Sequence, residues 1–247
     1  MAGEAPKTTK RRLAAVLSAD AVGYSRLMSE NEEATIDTLA AARENILDKA
    51  FETARTAVAL DDKDAMGHAV LGRIYTARGE HASSIAELET ARRLNPSLSW
   101  AHYGLGMALV FTGRAEEGIS EVDWAERLSP HDPNAWLFEM TRAWGWMSLG
   151  DFERAREQAE QSVRRPMAGF PAWGILASAL GHLGRIDEAR SALAKTIELR
   201  PDYSPSLFDC IWPNTDAAFF ELLFDGLRRI DPALPDPRSI TRRRVSG

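Results

Sequence analysis

Side chains able to do chemistry are few in this sequence and widely separated. The single cysteine, Cys210, has no partner for an intrachain disulfide and belongs to no Cys/His cluster, which argues against zinc and for a reducing, cytoplasmic setting. The five histidines are scattered, and His68 and His102 stand 34 residues apart, a spacing that reads as packing residues in register rather than metal ligands. Gly104-Leu105-Gly106 falls inside a helical pattern and so has no dinucleotide-binding meaning, and there is no Walker loop, nucleophile elbow or Cys-His pair. Arg243-Arg244-Val245-Ser246 has the form that basophilic kinases favour; its plainer reading is a solvated, frayed end. Asp20 closes a short apolar run, and taken alone it reads as a carboxylate that caps a turn or faces water.

The elements that position these residues are set by an internal repeat. Leu71, Gly72, Tyr75, Gly79, Leu88, Ala91 and Pro96 recur 34 positions later as Leu105, Gly106, Leu109, Gly113, Val122, Ala125 and Pro130. Gly79 to Pro96, Gly113 to Pro130 and Gly184 to Pro201 are each 17 residues. From Pro130 to Gly150 the gap is 20 residues where Pro96 to Gly113 is 17, which predicts about three extra residues in the first helix of that repeat. With 45% hydrophobic and 27% charged residues among 247, the chain suits one large or two small globular domains. Thirty Lys and Arg against 36 Asp and Glu leave a net charge of -6, so no global positive field is available to hold nucleic acid. The run Leu13 to Ala19 after Lys10-Arg11-Arg12 is too short for a signal peptide, and nothing approaches the roughly 18 apolar residues of a membrane span.

The repeat resembles the tetratricopeptide repeat, a helix-turn-helix unit of about 34 residues. Its last copy carries Trp173, Leu176, Ala177, Leu180, Gly184, Ala189, Leu193 and Pro201 at the positions of the signature. Small residues at Gly72, Gly106, Ala177 and Ala189 let paired helices approach, and the turn glycines accept a backbone conformation that a side chain opposes. The resemblance implies an all-α, right-handed solenoid whose first helices line a concave groove. The positions resembling groove-facing ones are Arg73, then Trp100, Tyr103, Met107 and Phe111, then Met140, Trp144 and Met147. Such a set would hold an amphipathic helix or an extended apolar peptide; equally, the same residues could pack against the long N-terminal helix or neighbouring helices. Asp216 to Ile230 place Phe219, Leu222, Leu223 and Leu227 on one helical face, as expected of a helix that caps the open end of the stack.

The first fifty residues have a different character. Leu13 to Leu17 with Val22 predict a short buried strand, and Ser29 with Glu32 form a capping box that starts a helix running from about Glu30 to Leu60. The phrase from Arg11 to Met28, followed by Glu32-Glu33-Ala34-Thr35, resembles the opening of bacterial class III adenylate/guanylate cyclase domains over roughly residues 11–47. The resemblance implies that Asp20 stands where that family binds its catalytic Mg or Mn ions, and that Gly23, Tyr24 and Ser25 stand where it cradles substrate phosphates. The second metal-binding carboxylate, the purine-selecting lysine and the Asn/Arg pair of the family have no counterpart, because the chain passes from Asp48 directly into a repeat helix.

These readings divide the chain into a disordered tail over 1–10, a truncated cyclase-like segment over 11–47, one half and four full repeats over 48–203, a capping segment over 204–230 and a disordered basic tail over 231–247. The expected function is a non-catalytic scaffold that needs no cofactor and binds a protein or peptide, with neither nucleic acid nor membrane as partner. The alternatives are a cyclase, or a regulatory partner of an intact cyclase.

Overall fold

The computed structural model describes residues 32–201, 203, 211–212, 215–232 and 234, with 32–44 as backbone alone. The chain divides between Asn45 and Ile46 into two units, and the repeats lie in the second. The expected strand at Leu13 to Leu17, the capping serine Ser29 and the tail after Leu234 lie outside the described residues.

Ten helices and no strand occur among the described residues: α1 (Glu32–Leu60), α2 (Ala65–Ala77), α3 (His81–Leu94), α4 (Ser99–Phe111), α5 (Ala115–Leu128), α6 (Ala135–Ser148), α7 (Phe152–Val163), α8 (Phe170–His182), α9 (Ile186–Leu199) and α10 (Ala217–Arg228). The long helix expected from about Glu30 is α1. Its second part sets the Phe51 ring edge-on to Tyr75 of α2, with Arg78 stacked on Phe51 and paired to Asp48 at 2.6 Å.

From α2 onward the helices pair as α2/α3, α4/α5, α6/α7 and α8/α9. Each pair is joined by a three-residue turn whose central glycine has a left-handed backbone: Gly79 (φ 72°), Gly113 (79°), Gly150 (74°) and Gly184 (73°). One bond recurs in all four turns, from the N–H after the glycine to a carbonyl of the first helix: Glu80 to Tyr75, Arg114 to Leu109, Asp151 to Trp146 and Arg185 to Leu180, at 2.9–3.0 Å. It gives a carbonyl of the last helical turn a donor from beyond the glycine, and only glycine takes the required φ without strain.

The three residues inserted in the third repeat fall mostly outside the helix expected to carry them. The linker Ser129–Asn134 has two more residues than Asn95–Leu98, and α6 is one residue longer than α4. Asp132 turns that longer linker by accepting the Asn134 N–H at 2.8 Å. An insertion in a linker leaves the helix contacts in register, whereas one inside a helix rotates every later side chain by about 100° per residue.

Within each pair the small residues do what the spacing predicts. Ala177 and Ala189 are fully buried, and a Cβ placed on Gly106 would come within 2.7 Å of the Gly118 carbonyl of α5. Successive first helices also touch, α2 with α4, α4 with α6 and α6 with α8, so these four helices share one continuous face.

Candidate functional site on the first-helix face

The aromatic and methionine stripe expected on this face forms two groups of touching rings. At one end the Arg73 guanidinium lies over Trp100 (4.6 Å) and Tyr103 (5.7 Å), and Trp100 meets Tyr103 edge-on. Tyr103 packs on Phe138 at 5.3 Å, a residue the sequence reading did not single out. Further along, Phe111 and Trp144 lie 4.9 Å apart. The set divides by accessibility. Tyr103, Met107, Phe111, Met140, Trp144 and Met147 are buried in a single apolar cluster, with Trp144 at 0% exposure, while Arg73 and Trp100 are half-buried. The Tyr103 hydroxyl sits against the Met107 sulfur, and burial pushes its pKa up.

Phe111 and Trp144 are covered by a later segment of the chain itself. Trp212 meets Trp144 edge-on at 4.7 Å and lies 6.3 Å from Phe111, and Phe219 of α10 lies 5.8 Å from Trp144. The Asp216 N–H donates to the Phe111 carbonyl at 2.8 Å. The helix expected to cap the open end packs on the first helices α8 and α6 rather than on α9. Hydrophobic patterning identified the buried face of α10 but carries no information on which surface receives it.

The histidines expected to be packing residues prove to be polar bridges. His68 Nδ1 lies 2.6 Å from Glu87 Oε2 and its Nε2 lies 3.0 Å from the Asp62 carbonyl. His102 repeats the arrangement, with Glu121 at 2.7 Å and the Pro96 carbonyl at 3.0 Å. Carboxylate and carbonyl oxygens only accept, so both ring nitrogens donate and the geometry suits the imidazolium. For His102 the Glu121 hydrogen bond raises the pKa against the opposing effect of burial; for His68 burial is the largest influence and lowers it, but the bonds to Glu87 and Asp62 together outweigh it. Burial raises the Glu121 carboxyl, yet His102 and the Arg92 guanidinium paired with it hold it below the ordinary value.

The third repeat uses arginine instead, once across to the preceding repeat and once within itself. Arg142 of α6, nearly buried, donates to Asp123 (2.7 Å) and Glu126 (2.5 Å) of α5, and buried Glu139 accepts from Arg165 at 2.6 Å. The spacing that could have revealed the His–Glu bridges is 19 residues, from one position on a first helix to one on its paired second helix.

Asp20, Gly23, Tyr24 and Ser25 lie outside the described residues. Among the described residues no three His, Cys, Asp or Glu gather as metal ligands, and no helix is long and apolar enough to cross a membrane.

A helix-turn-helix frame with left-handed turn glycines and a shared first-helix face defines a repeat solenoid, and the comparisons say which repeat. Residues 141–204 and residues 99–119 each match a family model described as the tetratricopeptide repeat. The fold is a solenoid of tetratricopeptide repeats. Similar solved structures include PilW, described as a widely conserved type IV pilus biogenesis factor (17% identity, TM-score 0.59, covering 83% of this chain and 96% of that one). TTC0263 of Thermus thermophilus, a thermophilic protein with these repeats, is 20% identical with a TM-score of 0.56, covering 66% and 89%. YrrB, described as having an unusual peptide-binding site, is 19% identical with a TM-score of 0.50, covering 74% and 95%. No curated protein matches the chain.

Proposed function

We propose that this protein is a non-catalytic scaffold that binds a protein or peptide segment on its first-helix face. The observation that carries the reading is the set of aromatics along this face, Trp100 and Tyr103 under Arg73 and Phe111 against Trp144, with Met107, Met140 and Met147 in the same apolar cluster. Large aromatics and adaptable methionines gathered on one concave surface are what an amphipathic helix or extended apolar peptide requires. The half-exposed pair of Arg73 and Trp100 is the accessible edge of that set, and a guanidinium stacked on an indole is pre-organised to meet a partner's carboxylate or backbone carbonyl. Selection of peptides from a random helical library against the immobilised full chain tests the reading. Selected peptides should lose affinity by about tenfold or more on Trp100→Ala with thermal stability little changed. A library that yields no sequence dependent on Trp100 or Arg73 counts against it.

A second reading comes from the segment over 11–47. Its resemblance to a class III cyclase opening supports descent from a truncated cyclase, and a role as regulatory partner of an intact one. With Asp20 alone of the metal carboxylates and only Gly23-Tyr24-Ser25 of the phosphate cradle in the sequence, the purified chain is expected to make no cyclic nucleotide from ATP or GTP with Mn²⁺. Turnover that vanishes in Asp20→Ala would reverse that expectation, and co-purification with a full-length cyclase would favour the regulatory role.

A further inference from the structure

Trp212 and the residues from Thr215 to Ile230 lie on the repeats as a bound peptide would. A helix that prolonged the stack would take the place of the next first helix, against both helices of the last pair. α10 rests instead on α8 and α6, and the residues before it reach back to α4. The crossing thus runs from the second repeat to the fourth along the first helices.

Its contacts are those of an amphipathic helix in a groove. Asp216 caps α10 by accepting the Phe219 N–H at 3.1 Å while its own N–H holds the Phe111 carbonyl. Phe219, Leu223 and Leu227 recur every fourth residue and are buried against the groove, while Ala217, Ala218 and Asp225 face outward. The receiving face supplies polar groups that read the backbone of α10 and not its side chains: the Ser178 hydroxyl donates to the Leu223 carbonyl (2.8 Å), and His182 Nε2 donates to the Leu222 carbonyl (2.7 Å). Two glycines allow the closest approach. A Cβ at Gly226 would stand 2.4 Å from the Ser178 carbonyl, and one at Gly181 only 2.1 Å from the Gly226 carbonyl. Backbone recognition of this kind accepts any helix with a small residue at the crossing point.

We propose that Trp212 and α10 with its cap Asp216 are an intramolecular ligand of the first-helix groove, and that the outside partner of this face is an amphipathic helix of the same pattern which binds when α10 leaves. That pattern is a carboxylate cap, an aromatic three residues on, leucines at the seventh and eleventh positions and a small residue at the tenth. The inference rests on the scaffold reading for the existence of an outside partner, but the contact within the chain can be tested without one.

The test is made on the full-length chain, with a fluorescently labelled synthetic peptide of residues 211–232 as probe. In the wild type the resident segment competes, and apparent affinity falls in proportion to the open fraction. Phe219→Asp with Leu223→Asp places charge on the buried face of α10 and leaves the groove intact. Gly226→Ala lifts the helix sterically without removing apolar surface. Either variant, with the repeats still melting cooperatively by circular dichroism, should bind the probe about tenfold or more tightly than the wild type. Folded variants that bind it no better overturn the proposal. Loss of the cooperative repeat transition in both variants also overturns it, since α10 would then be part of the core the repeats need. A foreign helix of the same pattern forms the second arm: if the probe binds and the foreign helix does not, the resident contact stands and the scaffold reading fails.

Discussion

Eleven residues before the turn glycine the four repeats carry three kinds of side chain: His68 and His102, then Glu139, then Trp173. In the first two repeats that position carries an imidazole bridged to a glutamate of the paired second helix. In the third it carries a buried carboxylate paired with Arg165, and Arg142 replaces the leucine that Leu71, Leu105 and Leu176 supply at the corresponding place. In the first two repeats the paired helices are therefore joined by titratable bridges, with Arg73 and Trp100 left accessible, whereas the third repeat carries arginine pairs, one of them back to α5, and shares with the fourth an aromatic core that α10 completes. One backbone frame tolerates opposite charges at one position because each bridge is satisfied by its neighbouring helix, not by the turn geometry that the glycine sets.

The comparison breaks most visibly at the tryptophans. Trp144 lies at the junction of Phe111, Trp212 and Phe219 with no exposed surface, so Trp144→Ala should cost about 3–5 kcal/mol in denaturant unfolding. Trp100→Ala, on the accessible edge, should cost about 1 kcal/mol, mainly the lost stacking with Arg73 and Tyr103. Equal losses would mean that the two ends of the face are a single core. The arginine of the third repeat gives a middle-sized effect. Arg142→Ala leaves Asp123 and Glu126 without their cation, but both are close to half exposed and water takes up part of the loss, so about 1–3 kcal/mol is expected. Arg142→Leu restores the residue of the other repeats and should be neutral or stabilising, because apolar packing replaces a desolvated charge. A cost for Leu as large as that for Ala would show that the bridge itself holds α6 to α5.

Much of the architecture is legible without coordinates because it follows from local rules. The turn glycines, the 34-residue period and the small residues between paired helices each constrain the backbone within one repeat, and they locate all four pairs. The site is less legible. The aromatic stripe is recognisable from helical spacing, but whether Trp144 and Met147 face solvent depends on a segment some seventy residues later in sequence, whose apolar face does not name its target. The His68–Glu87 and His102–Glu121 bridges span two helices, and their register becomes apparent only when the turn between them is built. The position of Arg142 in a leucine column is visible in the alignment of repeats; its meaning is not, because the acids that receive it belong to the preceding repeat.

The smallest predicted effect sharpens the comparison through its sign. His102 has its pKa raised by Glu121, and His68 by Glu87 and Asp62 against burial, so both contribute stability that is fully present below the ordinary histidine value of 6.5 and is lost as pH rises through their folded values. Glu121 acts at the acid limit: its lowered pKa means that the His102 bridge is lost again when pH falls far enough to protonate the carboxylate. His182 behaves oppositely. Its ring stacks on Phe152 at 4.0 Å, nearly parallel, and burial favours the neutral form and lowers the pKa; Arg229 adds to the effect, while the Nε2–H bond to the Leu222 carbonyl and the Asp225 carboxylate oppose it. Its contribution is present above 6.5 and is lost as pH falls, because the unfolded chain takes up the proton first. His102→Gln should therefore flatten the alkaline side of the stability profile, and His182→Gln the acid side, with hydrogen exchange locating the first change in α4 and α5 and the second in α8 and α10. Profiles shifted in the same direction by both substitutions would remove the distinction between the two halves, since each half would then owe its pH response to the same charge state.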